Sequence, residues 1–497
     1  MKYILICLAG LLPSICMAQW NTNNTVIDFT EPSEQPILKV KAVETSDGST
    51  WLAYTTYTPG FLVDCKIQLI DSEGVSRFED GGFSLISNSR DLPSSADSFG
   101  MVCDNDGNII LCFPSAKDAE SYLPKPRLFK INQNGDQLWG TDGIEIQVNS
   151  ENITSQNLYK IKDEMFVTWS AMDYSDWSSS TYVMKINDSG SSVWDSPVQI
   201  PGSSASILNN EDNISIFYTQ NNHAFMNTYS ADGEQLNEEP ISISEDGVYV
   251  NEPWGGSPFT TVSQNGVSVI SYTGINSNNE NILRYAKVEA EPSFNTITSV
   301  STFDNILLGI NNDGDKISII WNEYDYESGS SLHLMTVNGE NIHEETVITT
   351  INNLTPMYSA ITSSDEIFLI WGEAEGWSGS NVRCALFNEI GEVKGIDLFF
   401  TTGELLANST YDDNRYAYLF MPDTDAETYD SSLIGMRIPL NCEFEQSSNI
   451  NMNIDDSTDS SWIEYYTIEG RKIDGKQLEK GVIYIKRTQK GSQKIIF

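Results

Sequence analysis

The sequence predicts an all-β chain, an eight-bladed β-propeller followed by a small C-terminal β-module, and three observations carry that expectation. One pattern recurs along the chain: a short strand, a polar turn, an apolar-aromatic strand, a variable loop, a third strand, an Asn/Asp-Gly turn and a last short strand. Its clearest copies are "GMVCDNDGNIILCFPS…PRLFKINQNGDQLW" and "AITSSDEIFLIWGEAEGWSGSNVRCALFNEIGEVKG". The aromatic ending the second strand falls at Tyr54, Phe113, Trp169, Phe217, Tyr272, Trp321, Trp371 and Phe420, at intervals of 48 to 59 residues. Eight four-stranded units at such a period are the signature of a propeller. Finally, no helix-period segment of useful length occurs between Val26 and Asn441. A seven-bladed ring, with the first and last units sharing a blade, is the alternative.

The chain begins "MKYILICLAGLLPSICMAQW": a lysine, a short apolar run, and small residues Cys16 and Ala18 before Gln19. This reads as a secretory signal peptide over residues 1–18. The run is too short to span a bilayer, and no later segment approaches the roughly 20 apolar residues a membrane helix needs. Secretion or display on the outer cell surface is therefore expected.

The propeller is expected over residues 24–441. Its second strands, such as "TWLAY", "IILCF", "MFVTW", "ISIIW" and "IFLIW", are β-branched and aromatic, as strands buried between neighbouring blades should be. First-to-second-strand turns carry Asp47-Gly48, Asp106-Gly107, Asn265-Gly266 and Asp313-Gly314, residues that reach positive φ cheaply. Third-to-fourth-strand turns carry Gly74, Gly135, Gly190, Gly233, Gly339 and Gly391. The eighth unit has a weak outer strand, and "NTVIDFTE", residues 24–31, is expected to supply it, since an open edge invites aggregation.

Residues 442–461 read as a polar linker and 462–497 as a separate β-module. From Glu464 onward there are eight basic and four acidic residues, in a chain whose formal charge is −42. The order Tyr466, Gly470-Arg471-Lys472-Ile473, Leu478, Gly481-Val482, Tyr484-Ile485 and terminal Lys494-Ile495-Ile496 resembles the C-terminal sorting module of exported Bacteroidetes proteins read by type IX secretion. That resemblance covers about 34 residues. It implies passage across the outer membrane with the secretion machinery as a partner. The repeats themselves resemble the degenerate repeats of large secreted bacterial propellers, which implies an architecture and no activity.

Charge excludes some functions. With only 28 basic residues against 70 acidic, nothing here displaces counterions from a phosphate backbone or favours an anionic membrane, so nucleic acid is not expected as a partner. Five cysteines follow the signal segment: Cys65, Cys103, Cys112, Cys384 and Cys442. This odd, sparse set is no disulfide framework and holds no CxxC pair. Cys103 and Cys112 flank one turn in a register slightly out of opposition, and their pairing is left open.

Propeller geometry sends the short, uniform turns to one face and the long second-to-third-strand loops to the other. The decorated loops are "MDYSDWSSS", "NEYDYESGS", "GEAEGWSGS" and "PDTDAETYDSS", joined by the connection "NEPWGGS". Variable loops on a rigid scaffold are where binding residues lie. The expected ligand-binding set is Asp173, Tyr174, Trp177, Trp254, Glu323, Tyr324, Tyr326, Glu373, Trp377 and Tyr429. The rings stack on sugars or anchor proteins, and the acids accept hydroxyl hydrogen bonds. Calcium is the one cofactor left open, at Asp423-x-Asp425-x-Glu427, which lacks the glycine and distal glutamate of an EF-hand.

Catalytic constellations are sparse. There is no GxSxG, P-loop, GxGxxG or HExxH. The nearest match to a sialidase box, "SDGSTW" at residues 46–51, lacks the spacer residue. The propeller's arginines are few, and although Arg284 and Arg383 both begin third strands near the decorated face, they make at most two-thirds of the arginine cluster such enzymes need, so a sialidase is not the expected reading. "NGDQLW" and "SGSSVW" are similar to the Gly-x-x-x-Trp blade ends of quinone-dependent dehydrogenases, but Trp139 and Trp194 are more simply blade-packing residues. The expectation is a monomeric, non-catalytic binding protein for glycan or protein. The alternative is a polysaccharide hydrolase or lyase using the loop acids.

Overall fold

The computed structural model describes residues 27–440, except for short internal stretches (those of four or more residues being 91–98, 116–124, 149–152, 174–177, 252–256, 375–379, 389–392, 395–399, 402–407 and 425–429), and the strands within 464–496. Every regular element among these residues is a β-strand. The expected signal peptide and linker lie outside them. The chain divides into two units, Met1–Glu445 and Gln446–Phe497.

The described strands of the first unit form eight antiparallel sheets, numbered in chain order: sheet 1 within Ile37–Arg90, sheet 2 within Gly100–Glu145, sheet 3 within Ile153–Pro201, sheet 4 within Ser203–Ser242, sheet 5 within Tyr249–Ser299, sheet 6 within Thr302–Thr350, sheet 7 within Asn353–Thr401 and sheet 8 within Asn408–Pro439. Sheets 1, 2, 3, 4 and 6 are simple up-and-down meanders; sheet 1, for instance, runs Ile37–Glu44, Thr50–Thr58, Leu62–Ile70, Phe83–Arg90. Sheet 8 takes its outer strand from the N-terminus, where Ile27–Asp28 pairs with Ser431–Pro439, Ile27 opposite Gly435 and Asp28 opposite Ile434. The Phe29 amide then donates to the Leu433 carbonyl at 2.7 Å.

Second strands are apolar on both faces because each face is covered by a different neighbour. In sheet 5, Val269 packs with Phe303 and Trp321 of sheet 6, while Ile270 and Tyr272 pack with Leu208 and Phe217 of sheet 4. Sheets 1 and 8 share a core in the same manner, through Val40, Leu52, Tyr54, Tyr418, Phe420 and Leu433. First strands touch the first strands on either side; that of sheet 1 touches those of sheets 2 and 8. Gly100 sets one such approach, since a Cβ there would lie 2.3 Å from the Leu158 amide nitrogen.

The turn glycines behave as their sequence context implies: Gly48, Gly107, Gly266 and Gly314, and Gly74, Gly135, Gly190, Gly233 and Gly339, all have positive φ. Gly391 lies outside the described residues. Rings of one sheet cover turns of the next. Phe78 lies over Gly135, Trp139 over Gly190 and Trp194 over Gly233, and the indoles donate to Asp188 O and Ala231 O, each at 3.1 Å. Trp139 and Trp194 thus pack one sheet against the next, and Gly74-x-x-x-Phe78 is a third copy with phenylalanine for tryptophan.

A cross-strand pair repeats at one level of the sheets, the second-strand aromatic facing a ring or a cation on the third strand. The pairs are Tyr54 with Lys66, Phe113 with Arg127, Trp169 with Tyr182, Tyr218 with Phe225, Tyr272 with Arg284, Trp321 with His333, and Trp371 with Arg383. In sheet 4 the paired residue facing sheet 3 is Tyr218; Phe217, one residue earlier, faces sheet 5. Phe420 likewise faces sheet 1 rather than sheet 7. A one-residue slip in a strand exchanges faces, so an aromatic count finds the strand without finding the side.

Cys65, Cys103, Cys112 and Cys384 are buried, and none of them is in a disulfide. Cys112 stands opposite Gly100 and Cys103 opposite Ile109, which separates the two thiols by register. Cys442 lies outside the described residues.

The second unit, taken by itself, contains one antiparallel sheet in the order Lys472–Ile473, Glu464–Tyr466, Ile483–Thr488, Gly491–Ile496.

Candidate functional site

The described members of the expected ligand-binding set, Asp173, Glu323, Tyr324 and Glu373, lie at or near the ends of second strands. Asp173 ends the second strand of sheet 3 and is exposed opposite Ser178. Glu323 and Tyr324 lie near the end of the corresponding strand of sheet 6 and are half-buried. Glu373 occupies the equivalent position in sheet 7 and is 7% exposed. Tyr174, Trp177, Trp254, Tyr326, Trp377 and Tyr429 lie outside the described residues, as do Asp425 and Glu427; Asp423 is opposite Ser432 in a strand, with its side chain outside the description. Among the described residues no group of three or more His, Cys, Asp or Glu side chains is placed to hold a metal.

Sheets 6 and 7 carry the same local device. Each second strand reads Trp-x-Glu, and strand alternation puts the ring and the carboxylate on one side. In sheet 6 the third strand places His333 opposite Trp321 and Ser331 opposite Glu323. The Trp321 indole donates to Glu323 Oε1 at 3.2 Å, and Ser299 Oγ, on the outer strand of sheet 5, donates to Glu323 Oε2 at 2.7 Å. The carboxylate therefore ties two sheets together near the end of the second strand of sheet 6.

His333 Nε2 is 3.0 Å from Ser331 Oγ and 4.0 Å from Glu323 Oε1. Burial pushes the imidazole below its ordinary pKa, against the opposing pull of Glu323 and Glu344, so the ring is neutral near pH 7. Serine, histidine and glutamate invite comparison with a nucleophilic relay. Such a relay needs the carboxylate on one ring nitrogen and the serine on the other. Here both face Nε2, a geometry that braces the strands and does not pass a proton along a line.

In sheet 7 the base is Arg383, opposite Trp371, with Nε 2.8 Å from Glu373 Oε2. Arg284, at the corresponding place in sheet 5, is buried; its Nη1 donates to Ile243 O at 2.8 Å and to the Tyr272 hydroxyl at 3.0 Å. Arg127 in sheet 2 donates to Asp142 O and to Glu145. Arg127 and Arg284 fasten outer strands and neighbouring connections to third strands, whereas Arg383 ties its third strand to the second strand of the same sheet. Arg284 and Arg383 occupy equivalent positions in different sheets, and Arg284 Nε also donates to Thr296 Oγ1 on the outer strand at 3.2 Å.

On the opposite side, the ends of the first strands of sheets 3, 4 and 5 line a cavity of ≈ 500 Å³ that includes Lys160, Lys162, Asn209, Ser263 and Gln264. Its described lining holds no carboxylate. The loop side has a feature the sequence reading missed: Tyr249, exposed, against His223 of the neighbouring sheet. The paired asparagines before His223 mark a tight hairpin, but only the fold brings Tyr249 beside it.

No family model matches the chain, and no curated protein matches it. Among solved structures, the chain is similar to a Dyadobacter fermentans protein of unknown function (9% identity over 84% of this chain and 99% of that one, TM-score 0.37). It is also similar to the β-propeller domain of the trilobed protease from Pyrococcus furiosus (10% identity, 78% and 98% covered, TM-score 0.40). A third similar structure is a PL25 polysaccharide lyase described as an ulvan lyase (10% identity, 84% and 96% covered, TM-score 0.42).

Proposed function

We propose that residues 24–441 form a closed eight-bladed propeller acting as a non-catalytic binding protein for a glycan or protein ligand, with the ligand on the loop-bearing face. The observation that carries the reading is the pair of Trp-x-Glu braces. Glu323 and Glu373, the described acids best placed to serve as catalytic carboxylates, are instead engaged by Ser299, Trp321 and Arg383 beneath the loops. A glycosidase needs two carboxyl groups about 5 to 9.5 Å apart across a substrate bond, with one of them available as acid. Acids held in this way make rigid stems for loops that bind. The shared core of sheets 1 and 8 and the N-terminal strand on sheet 8 support closure of the ring.

In this reading Asp173, Tyr174, Trp177, Trp254, Tyr324, Tyr326, Trp377 and Tyr429 meet the ligand, while Glu323 and Glu373 position the loops. Calcium, if bound, takes Asp423, Asp425 and Glu427. The mature protein acts as a monomer, secreted or on the outer cell surface. Its C-terminal module serves as the export address; the leader-like N-terminus and the charge reversal from Glu464 onward support that assignment.

Glycan-array binding of the mature protein, with and without calcium, tests the reading. A saccharide-specific signal lost in the Trp177→Ala, Trp377→Ala double variant is expected. Release of reducing ends or of unsaturated uronate products from a bound polysaccharide would establish the enzymatic alternative instead.

A further inference from the structure

We propose that Tyr249 and His223 form an aromatic subsite that stacks on a neutral saccharide ring at the loop edge of sheets 4 and 5. The inference rests on the binding reading above and gives one part of that edge a ligand class. Tyr249 is 54% exposed, and its ring lies against His223 with centroids 5.6 Å apart and planes tilted by 37°.

A large exposed ring is unremarkable on a loose segment, but this one is fixed. Tyr249 pairs with Ile275 and Val250 with Gly274, on the second strand of sheet 5. The Val250 amide donates to Asn222 O at 2.8 Å, and the Asn251 amide to Thr273 O at 3.0 Å. One short segment thus joins the His223 hairpin of sheet 4 to sheet 5. The hairpin turns through Asn221 and Asn222, at φ of 52° and 63°, a region asparagine tolerates. Gly274 completes the arrangement, because a Cβ there would come 2.5 Å from the Tyr249 carbonyl oxygen. Fixing the ring before binding removes an ordering cost that a ligand would otherwise meet.

The surroundings select the ligand class. Asn221, Asn222, Asn278 and Asn279, in the two hairpins flanking the ring, are exposed carboxamides. Amides donate and accept, which matches sugar hydroxyls that do both. Residues 220–223 and 275–281 contain no lysine or arginine, so nothing in these hairpins calls for a carboxylated or sulfated sugar. A flat ring among amides suits the C–H face of a neutral pyranose.

The test is isothermal titration of the mature protein with cello-, xylo-, manno- and laminarihexaose. It is repeated for Tyr249→Ala, Tyr249→Phe and His223→Ala, with thermal melts to show that each variant folds. At least one hexasaccharide should bind, Tyr249→Ala should weaken it by about tenfold or more, and Tyr249→Phe should leave it within about twofold. His223→Ala should fall between them. Unchanged affinity in folded Tyr249→Ala would overturn the subsite while leaving the binding reading intact. Equal losses in the Phe and Ala variants would overturn stacking as its basis. Binding of none of the four sugars would overturn the subsite, the glycan array then deciding the broader reading separately.

Discussion

Trp321 and His333 face each other across the second and third strands of sheet 6 with their rings stacked, centroids 5.2 Å apart and planes 7° from parallel. Burial holds the imidazole pKa below its ordinary 6.5, although Glu323 and Glu344 pull the other way. The folded chain therefore binds this proton less readily than the unfolded chain, and acid favours unfolding. Stability should be unaffected by His333 above the unfolded pKa and should fall as pH drops through about 6.5 and below. His333→Phe keeps a ring on Trp321 and removes the titration. Melting curves from pH 7.5 to 5 should show wild type losing more than the variant; parallel losses would remove His333 as the cause.

The Glu373 and Arg383 pair should matter more to stability than a surface ion pair. Glu373 is buried, and its Oε2 lies 2.8 Å from Arg383 Nε. Removing the acid takes away the carboxylate that meets Arg383 Nε in a partly buried setting, so Glu373→Ala should cost about 1–3 kcal/mol in denaturant titrations. A cost near zero would mean that solvent or another group replaces the carboxylate.

Two glycines should respond differently to alanine. At Gly100 the new Cβ would meet the Leu158 backbone at 2.3 Å, which forces the first strands of sheets 2 and 3 apart. At Gly140, with φ 83°, no heavy atom lies within 4 Å, so only backbone strain is added. Thermal unfolding should place Gly100→Ala well below wild type and Gly140→Ala closer to it, overpacking typically costing about 1–3 kcal/mol. The reverse order would contradict the close approach of the inner strands.

The buried thiols should be unreactive. Burial pushes Cys65 and Cys103 up to about 12, helped by Asp64 and Asp104 respectively, and Cys112 upward as well. Iodoacetamide labelling read by mass spectrometry should leave Cys65, Cys103, Cys112 and Cys384 unmodified in the native protein and label all four in denaturant. Native labelling of any of them would show that its sheet opens.

Much of the architecture was legible because turn chemistry and strand composition repeat together. The Asn/Asp-Gly turns and the aromatics at Tyr54, Phe113, Trp169, Tyr272, Trp321 and Trp371 mark the same level in successive sheets. The third-strand partners were less legible. His333 and Arg383 stand opposite Trp321 and Trp371 only once the intervening loop fixes the register, and loop lengths vary between units. Phe217 was credited with a role that Tyr218 fills, since neighbouring residues in a strand face opposite sheets. Glu323 and Glu373 carry the composition of ligand acids, but their partners Ser299, Trp321 and Arg383 come from registers and sheet neighbours that composition does not encode. Tyr249 and His223 went unnoticed because 26 positions separate them along the chain.

Closure of the sheets into a ring underlies the whole account, because it brings distant loops onto one rim. The direct measurement is oxidation of the Asp28→Cys, Ile434→Cys double variant, whose positions are opposite each other in the strand pair that joins the N-terminus to sheet 8. The account predicts a rapid intramolecular disulfide, seen as a mobility shift on non-reducing gels, and a higher melting temperature that reductant reverses. Thiols that stay free under oxidant, or that link only between molecules, would contradict it.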